Sequence, residues 1–520
     1  MRTGRTGTTM LLTAVTVFAA VLGGWQLARF VAGVETTSTT VAAAPVVTTA
    51  EPTATTHPAA TTTTTSTTTT TVPFARFGDA RTVGGQVGSV DGLTMFRGNP
   101  SRTFYGEGPV PEKPVVLWRY PDAAMCGRST VHEETDLWCG TGWTGQPVVW
   151  SRNDGVTEVI IGAYDKAVHF IDADTGMDTR PPFPTGDLVK GSGSLDPDGY
   201  PLYYFGSRDN NLRILALDRD VPTELWALNA NVVAGMWNND WDGDPVIIDD
   251  ILFEGGENSY FFAYRLNRSY GPDGLVEVNP EPLIQFPVFT DELVRKLGRE
   301  QSIENSVAVY ENRVYFANSA GRVVGLDLTR IDDREAPVVF DYWDGDDTDA
   351  TITVDREGML YVAIEMQRFN ERSREVGQII KLDPYTDGDP RLWGVAVPPV
   401  GNGQGGVWAT PALGDGVLYV ATQPGELLAI DTETGEVVWR DDVGWHAWSS
   451  PVIVDDTLVQ AVNCGVGGAL RAYDLTDPRS PVQVWETDAV GGCIESTPAI
   501  WKGRIYVGSR DGFFYAFGNE

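Results

Sequence analysis

The chain has 520 residues, of which 71 are acidic and 38 basic, so its formal net charge is −33. This charge opposes binding to nucleic-acid phosphates or anionic lipid surfaces, and we therefore expect no nucleic-acid partner. A length of 520 residues with 42% apolar content supplies a large core that needs no disulfides for stability. Residues 1–72 carry three arginines against two glutamates, so residues 73–520 carry a net charge of −34.

The amino terminus has the pattern of a membrane anchor. Arg2 and Arg5 precede Met10–Ala28, nineteen uncharged residues that as a helix nearly span the roughly 30 Å of a bilayer core. We predict that residues 1–35 are a cytoplasmic stub and signal-anchor helix, with the rest of the chain on the extracytoplasmic side. The alternative is a cleaved signal peptide, whose apolar region is usually about 7–15 residues long.

Two segments separate this anchor from the repeats. Residues 36–72 are almost all Thr, Ala, Pro and Val, and such a stretch has no apolar face to bury, so it predicts a disordered stalk. Residues 73–112 are a lead-in to the repetitive region, which occupies residues 113–520. We therefore expect a single-pass membrane protein whose folded part is held away from the membrane.

Internal repeats decide the fold class, which is all-β. The clearest unit, Trp408–Trp439, contains four short alternating segments separated by Gly-, Asp- or Pro-containing turns, the pattern of a four-stranded propeller blade. Seven further stretches fit this unit with gaps: 146–176, 193–226, 244–266, 305–328, 350–393, 449–485 and 496–518. The last lacks a fourth strand, which Pro114–Trp118 would supply, closing the ring and removing an exposed sheet edge. We predict an eight-bladed, monomeric β-propeller, with seven blades as the alternative if the third repeat is miscounted.

Two segments are predicted as insertions between or within blades. Asn267–Gln301 contains a helix-like run at 290–300, and Met366–Val376 interrupts the fifth repeat. Together they account for a mean repeat length somewhat above the roughly 40–50 residues usual for propellers.

One motif resembles a known family. Ala429, Asp431, Thr434, Gly435 and Trp439 match the AxDxxTGxxxW tryptophan-docking motif of PQQ-repeat (quinoprotein alcohol dehydrogenase-like) propellers. Partial copies stand at Ala216, Asp218 and Trp226, and at Asp172, Thr175 and Gly176, and the lead-in at 95–109 is similar to the opening of such domains. The resemblance implies the fold but not the chemistry, because the repeat is shared by dehydrogenases and by non-enzymatic scaffolds such as BamB; we favour the BamB-like branch. Most of the 16 tryptophans are then inter-blade packing residues.

The four cysteines allow three pairings. Cys126 and Cys139 precede the first inner strand, Cys464 lies between the second and third strands of blade seven, and Cys493 precedes the last inner strand. Loops of these kinds emerge on one face of a propeller, so Cys126–Cys139 with Cys464–Cys493 is the economical pairing, and export favours disulfides. The alternative is four buried free thiols.

Motifs of catalysis are lacking, so no catalytic residue is predicted. Asp240-x-Asp242-x-Asp244 begins like a calcium loop, but Pro245 and Ile251 stand where such a loop needs Gly and Glu. The resemblance makes calcium and PQQ the candidate cofactors, but the adjacent cysteines on which PQQ stacks in quinoprotein alcohol dehydrogenases do not occur here. A calcium-assisted PQQ site would use Asn239, Asp240, Glu304 and Asn305.

Aligning the inner strands places polar residues at one equivalent position of the ring. The alignment point is the proline of the Thr-Pro or Ser-Pro pair at the start of the inner strand. Three residues before it stand Thr144, Gly191, Asp242, Glu304, Asp349, Trp408, Trp448 and Glu495. Trp143, Lys190, Asn239 and His446 lie in the same loops. One residue before the alignment point stand Gln146, Gly193, Asp244, Ser306, Thr351, Thr410, Ser450 and Thr497. The registers of blades two and five are each open by one residue. We expect these residues at the channel mouth on the cysteine-bearing face.

The ring has two interpretations. In the first, its polar side chains bond inner-strand backbone or hold water. In the second, its carboxylates bind a cation or polyhydroxyl groups and its tryptophans stack on a sugar or cationic group; Asp242, Glu304 and Asp349 are the candidate metal ligands. The expected function is that of a membrane-tethered binding or scaffold protein, whose partner is a cell-envelope protein, a glycan or a small polar ligand. The alternative is an exported PQQ- or metal-dependent oxidoreductase.

Overall fold

A computed structural model describes residues 77–131, 134–143, 145–401, 403–444, 446–462, 464, 467–488 and 490–519. Within these ranges the chain forms eight blades of four antiparallel strands, one for each predicted repeat, and the lead-in adds a fifth strand to two of the sheets. The predicted eight-bladed β-propeller is therefore confirmed, and the seven-bladed alternative is wrong. The third repeat is a complete blade, because its outer strand, Glu281–Pro287, lies inside the segment predicted as an insertion.

The strands of each blade run outward from the propeller axis. Blades one to four comprise Val148–Ser151, Thr157–Ala163, Ala167–Asp172 and Phe183–Pro184; Gly193–Leu195, Leu202–Ser207, Asn211–Ala216 and Thr223–Asn229; Val246–Ile248, Ile251–Gly256, Tyr260–Arg265 and Glu281–Pro287; Ala308–Tyr310, Arg313–Ala317, Arg322–Asp327 and Val338–Trp343. Blades five to eight comprise Thr353–Val354, Leu360–Ala363, Ile379–Leu382 and Arg391–Val395; Ala412–Leu413, Val417–Ala421, Glu426–Asp431 and Val437–Asp442; Val452–Val454, Thr457–Val462, Ala469–Asp474 and Val482–Glu486; Ala499–Trp501, Arg504–Gly508, Phe514–Asn519 and Pro114–Tyr120.

The ring is closed as predicted, because Pro114–Tyr120 pairs antiparallel with Phe514–Asn519. The remaining elements are short. Helices lie at Asp291–Leu297, within the predicted run, and at Glu371–Val376; 3-10 turns lie at Gly78–Arg81, Ala230–Val232 and Ile331–Asp333; strand pairs join Cys126–Val131 to Glu134–Cys139, Ser269–Tyr270 to Val276–Glu277 and Glu365–Met366 to Gly405–Gly406.

The hydrophobic core lies between neighbouring blades. Phe261 of blade three and Phe316 of blade four, for example, stack with ring centroids 4.8 Å apart. The docking motif contributes at the rim: Trp393 of blade five donates its Nε1–H to the carbonyl of Thr432 at 3.0 Å and lies against Gly435, which has a φ of 74°. Trp118 of blade eight likewise donates to the carbonyl of Ala173 in blade one at 2.9 Å, so both tryptophans join their own blade to the turn of the next.

The lead-in closes one end of the channel. Gly92–Leu93 and Gly106–Glu107 add to the inner edges of blades one and eight, and the chain between them crosses the axis. Arg97 is fully buried and donates to the carbonyls of Thr410 and Pro411 in blade six. Residues 92–107, which we term the plug, therefore bridge blades on opposite sides of the ring.

Among the described residues, which begin at 77, no helix has the length and apolar character needed to cross a bilayer. The predicted anchor at Met10–Ala28 and the stalk at 36–72 lie outside the described residues.

Candidate functional site

A belt of hydrogen bonds fixes the register of the inner strands. The backbone N–H of Gln146 donates to the hydroxyl of Ser192 at 2.7 Å, and four further junctions between blades are made in the same way. Equivalent bonds run from Asp244 to Ser306, Ser306 to Thr351, Thr351 to Thr410 and Thr410 to Ser450, at 2.9–3.0 Å. The first interpretation of the ring thus holds for this belt, whose polar side chains satisfy backbone donors of the neighbouring blade.

The belt also corrects the alignment of blade two. Its hydroxyl comes from Ser192 and not from Gly193, so the residue two positions earlier, at the mouth, is Lys190 and not Gly191. A cation thereby joins the ring next to Asp242. We term the end of the channel at which the inner strands begin the mouth.

At the mouth lies a small cavity, which we term the cup. It is lined among others by Trp143, Asp242, Glu304 and Asp349, and Phe96 of the plug forms its floor. Three of the four predicted carboxylates are therefore brought together. The cup has a volume of about 10 Å³, close to the minimum of roughly 10–15 Å³ that one water molecule needs.

One side of the cup carries its own counter-ions. Lys190 is ion-paired with Asp242 and lies 3.6 Å from Glu257, and Arg208 pairs with Asp240 at 2.6 Å. Burial raises the pKa of Asp240 to about 6, although the charge of Arg208 opposes this. Burial, together with Asp240 and other acidic neighbours, holds the pKa of Glu257 well above its usual range. These three carboxylates face two cations.

The opposite side has more acid than base. Asp347, Asp349 and Glu365 offer oxygens that all lie within 4.8 Å of one another. Burial, and then the mutual repulsion of these carboxylates and of Glu304, holds the pKa of Asp349 well above its usual range. The nearest cation, Arg368, lies 3.7 Å from Asp347 and 3.2 Å from Glu300. We term Asp347, Asp349 and Glu365 the blade-five triad.

Aromatic side chains form the rest of the mouth. Trp448 packs edge-to-face on Trp143 at 5.0 Å, stacks near Trp408 at 6.0 Å and contacts the ring of His446 at 3.8 Å. Trp408 is 4% exposed, whereas Trp143 and Trp448 are half-buried. Glu495 lies on this side. Its Oε1 is 3.6 Å from Nε2 of His446, and its Oε2 is 3.6 Å from Nε of Arg510.

Two predicted residues point elsewhere. Asn239 donates to the side chain of Asn231 at 3.2 Å, and Asn305 uses its buried amide to bond the carbonyls of Ala317 and Thr348. Asn305 therefore ties blade four to the loop before blade five. The calcium set suggested from the sequence, Asn239, Asp240, Glu304 and Asn305, is not brought together. The candidate metal ligands Asp242, Glu304 and Asp349 line one cavity, but they are not among the described groups whose oxygens are close enough to share one ion.

Three acidic residues of the mouth were missed in the sequence: Asp347, which stands two residues before Asp349, and two that lie in turns. Glu257 lies in the turn after the second strand of blade three, and Glu365 in the equivalent position of blade five. Such turns reach the same face as the loops before the inner strands. That topological rule was applied to the cysteines, and applying it to every acidic residue in these turns would have found both.

The disulfides are paired as predicted, Cys126 with Cys139 and Cys464 with Cys493. The first closes the hairpin made by Cys126–Val131 and Glu134–Cys139, whose Trp138 packs against Arg208 and Arg510 at the mouth. Neither bond joins adjacent cysteines. The cup is also far smaller than the roughly 300–1,000 Å³ of a typical small-molecule pocket, so the residues present do not fit PQQ.

Comparisons with known proteins agree with this fold. Residues 375–517, which contain blades six and seven and most of blade eight, match the family described as outer membrane protein assembly factor BamB. No curated protein matches the chain. The match and the architecture agree with the resemblance inferred from the docking motif: the chain is an eight-bladed β-propeller, and its carboxyl-terminal part is similar to the BamB family.

One of the solved structures that match the chain is similar to it in fold. The quinohemoprotein alcohol dehydrogenase of Comamonas testosteroni is 13% identical over 82% of this chain and 80% of its own, with a TM-score of 0.53. BamB of Moraxella catarrhalis is 11% identical over 78% of this chain and 97% of its own, with a TM-score of 0.36. The computationally designed Ika8 protein is 12% identical over 72% and 97%, with a TM-score of 0.48. At 13% identity, the likeness to the dehydrogenase concerns the fold and not the chemistry.

Proposed function

We propose that this protein is a non-catalytic binding protein that holds a partner protein at the mouth, where the cup accepts a positively charged side chain of that partner. The observation that carries the proposal is the juxtaposition of Asp242, Glu304 and Asp349 with Trp143 in a cavity closed below by the plug. Carboxylates and tryptophan faces both attract ammonium and guanidinium groups. The match to a family described as an assembly factor supports a binding or scaffold role.

The shape of the mouth favours a cationic side chain over a glycan. Sugar recognition needs an open tryptophan face, but Trp408 is 4% exposed and Trp448 is engaged by the rings of Trp143, Trp408 and His446. A cavity of about 10 Å³, close to the space of one water molecule, has room for the tip of an ammonium group but not for a sugar ring without rearrangement. The alternative of an exported oxidoreductase has less support, because the cup does not fit PQQ.

The surroundings of the cup favour a protein partner over a free small molecule. The disulfide-closed hairpin beside the mouth presents Leu137, 57% exposed, on the same face as the cup. Protein–protein interfaces often combine apolar contacts with one charged side chain buried in a pocket of the partner. Leu137 and the cup would supply these two parts. The charge of −34 on residues 73–520 would steer a basic partner toward the propeller.

We further propose that the propeller works outside the cytoplasm, tethered by Met10–Ala28 and spaced from the membrane by residues 36–72. The uncharged span, its basic flank and the Thr-rich composition support this placement. Two disulfides in the folded part are in keeping with an oxidising compartment.

Face-resolved photo-crosslinking of the full chain in the cell envelope of its source tests the binding role. A photo-crosslinking amino acid replaces Leu137 at the mouth or, as the matched control, Val221 on the opposite face, which is 51% exposed. We expect a discrete protein adduct from position 137 that is lost with Trp143→Ala and is not formed from position 221. Equal adducts from both faces, or an adduct that survives Trp143→Ala and Glu304→Gln alike, would contradict the proposal.

A further inference from the structure

The blade-five triad lies beside the cup but is built by different segments. Asp347 and Asp349 belong to the loop before the inner strand of blade five, and Glu365 follows the second strand of the same blade. The N–H of Glu365 donates to the carbonyl of Asp347 at 2.8 Å, so the backbone itself fixes the two segments against each other. The carboxylates thus converge through the fold and not through flexible side chains alone.

The triad contains buried oxygens that no donor satisfies. Glu365 is 0% exposed and Asp347 6% exposed, yet Oε1 of Glu365 and Oδ1 of Asp347 accept no hydrogen bond, and neither does Oδ1 of Asp349. A buried acceptor without a partner destabilises the fold, and more so when it is charged. The three carboxylates converge, since one oxygen of each side chain lies within 4.8 Å of an oxygen of the other two.

Charge gives a second and independent reason to expect a cation. The triad carries three negative charges when ionised, and the one cation that pairs with it in the described part of the chain, Arg368, is shared with Glu300. The comparable cluster of Asp240, Asp242 and Glu257 contacts both Lys190 and Arg208. A divalent ion would bring the triad and Arg368 to neutrality, whereas the other cluster has little need of one.

We propose that Asp347, Asp349 and Glu365 bind a hard divalent cation, with Ca²⁺ as the expected ion. Carboxylate oxygens are the ligands that Ca²⁺ prefers, and three carboxylates supply between three and six of its six to eight ligands, the remainder coming from water. Glu304, which lines the cup together with Asp349, adds a further carboxylate beside the site. The bound ion would lock the loop before blade five to the segment that follows the second strand.

The site differs from the calcium-assisted PQQ set suggested from the sequence, because none of Asn239, Asp240 and Asn305 belongs to it. It also goes beyond the proposed function, since its occupancy can be measured on the purified chain without a partner. If the ion binds and no partner is found, the proposed function fails while this inference stands. If a partner is found and no ion binds, this inference fails while the proposed function stands.

Calorimetric titration of the full chain tests the site, with the chain stripped of metal by a chelator and kept at 150 mM salt to suppress diffuse ion binding. We expect one Ca²⁺ per chain, a melting temperature that rises with Ca²⁺, and at least a tenfold loss of affinity with Glu365→Gln. Asp349→Asn serves as a second variant should the first not fold. The matched control is Glu257→Gln in the other acidic cluster, which should bind Ca²⁺ as the unaltered chain does; Mg²⁺ is titrated in parallel.

Three outcomes would overturn the proposal. One is a melting temperature that neither Ca²⁺ nor Mg²⁺ changes, together with a Glu365→Gln variant that is more stable than the unaltered chain. These two results would show that shared protons, and not a metal ion, neutralise the triad. Another is loss of the ion with Glu257→Gln but not with Glu365→Gln or Asp349→Asn. The third is weak binding of many ions without a saturating stoichiometry.

Discussion

Arg102 donates a hydrogen bond from Nη1 to Oδ2 of Asp244 at 2.9 Å, and neither side chain is exposed to solvent. The same guanidinium reaches the carbonyls of Phe96, Asp244 and Val307, so it joins the plug to blades three and four. Because the plug also forms the floor of the cup, the fold and the candidate site depend on the same buried ion pair.

Replacing one partner of that pair should destabilise the propeller strongly. Arg102→Leu leaves the Asp244 carboxylate buried and unpaired, a change that typically costs about 3–5 kcal/mol. The control is Arg440→Ala, which breaks the Arg440–Glu426 pair, whose side chains are 60% and 43% exposed, and should cost at most about 1 kcal/mol. Urea unfolding followed by tryptophan fluorescence measures both. Equal midpoints for the two variants would show that the plug contributes little to stability.

The tryptophan-docking turn gives a second prediction about stability. At Gly435 an added Cβ would come within 2.8–2.9 Å of the Trp393 ring, whereas at Gly416, with a similar positive φ, it would meet nothing within 4 Å. Gly416→Ala should therefore cost only the backbone strain of about 1–2 kcal/mol. Gly435→Ala should cost about 1–3 kcal/mol more through overpacking. The comparison is made by thermal unfolding, and identical losses would mean that Trp393 does not pack on this turn.

The acidic mouth should make stability depend on pH in an unusual direction. Burial and neighbouring acids raise the pKa values of Glu257 and Asp349 in the folded chain, and burial raises the pKa of Asp240 to about 6. Between the unfolded values near 4 and these higher folded values, the folded chain binds more protons than the unfolded chain. This contribution to stability is complete below pH 4 and is lost as pH rises through the folded pKa values.

Urea midpoints between pH 4.5 and 8, measured in chelator, check this sign. Over that range Glu257→Gln should lose less stability than the unaltered chain, because an amide has no charge to bury. A variant whose pH profile runs parallel to that of the unaltered chain would contradict the assignment of a raised pKa to Glu257.

Much of the architecture was predictable from the sequence, because each blade repeats a local strand-and-turn pattern. The plug was not, since Arg102 and Asp244 are 142 positions apart and the lead-in contains no copy of the repeat. Lys190 was misplaced because the run Gly191–Ser194 aligns equally well in two registers, and only the bond from Gln146 to Ser192 decides between them. Glu365 was overlooked because it follows a strand and precedes an insertion, where the repeat pattern breaks down.

The central claim is that the mouth binds a positively charged side chain of a partner. The most direct test titrates the purified full chain, in chelator at low salt, with a pentapeptide that carries a central lysine between glycines. The control is the same peptide with norleucine, which keeps the aliphatic chain but not the charge. We predict that the lysine peptide binds at least tenfold more tightly, and that Glu304→Gln removes this preference. Equal affinity for the two peptides, or a preference that Glu304→Gln leaves unchanged, would contradict the account.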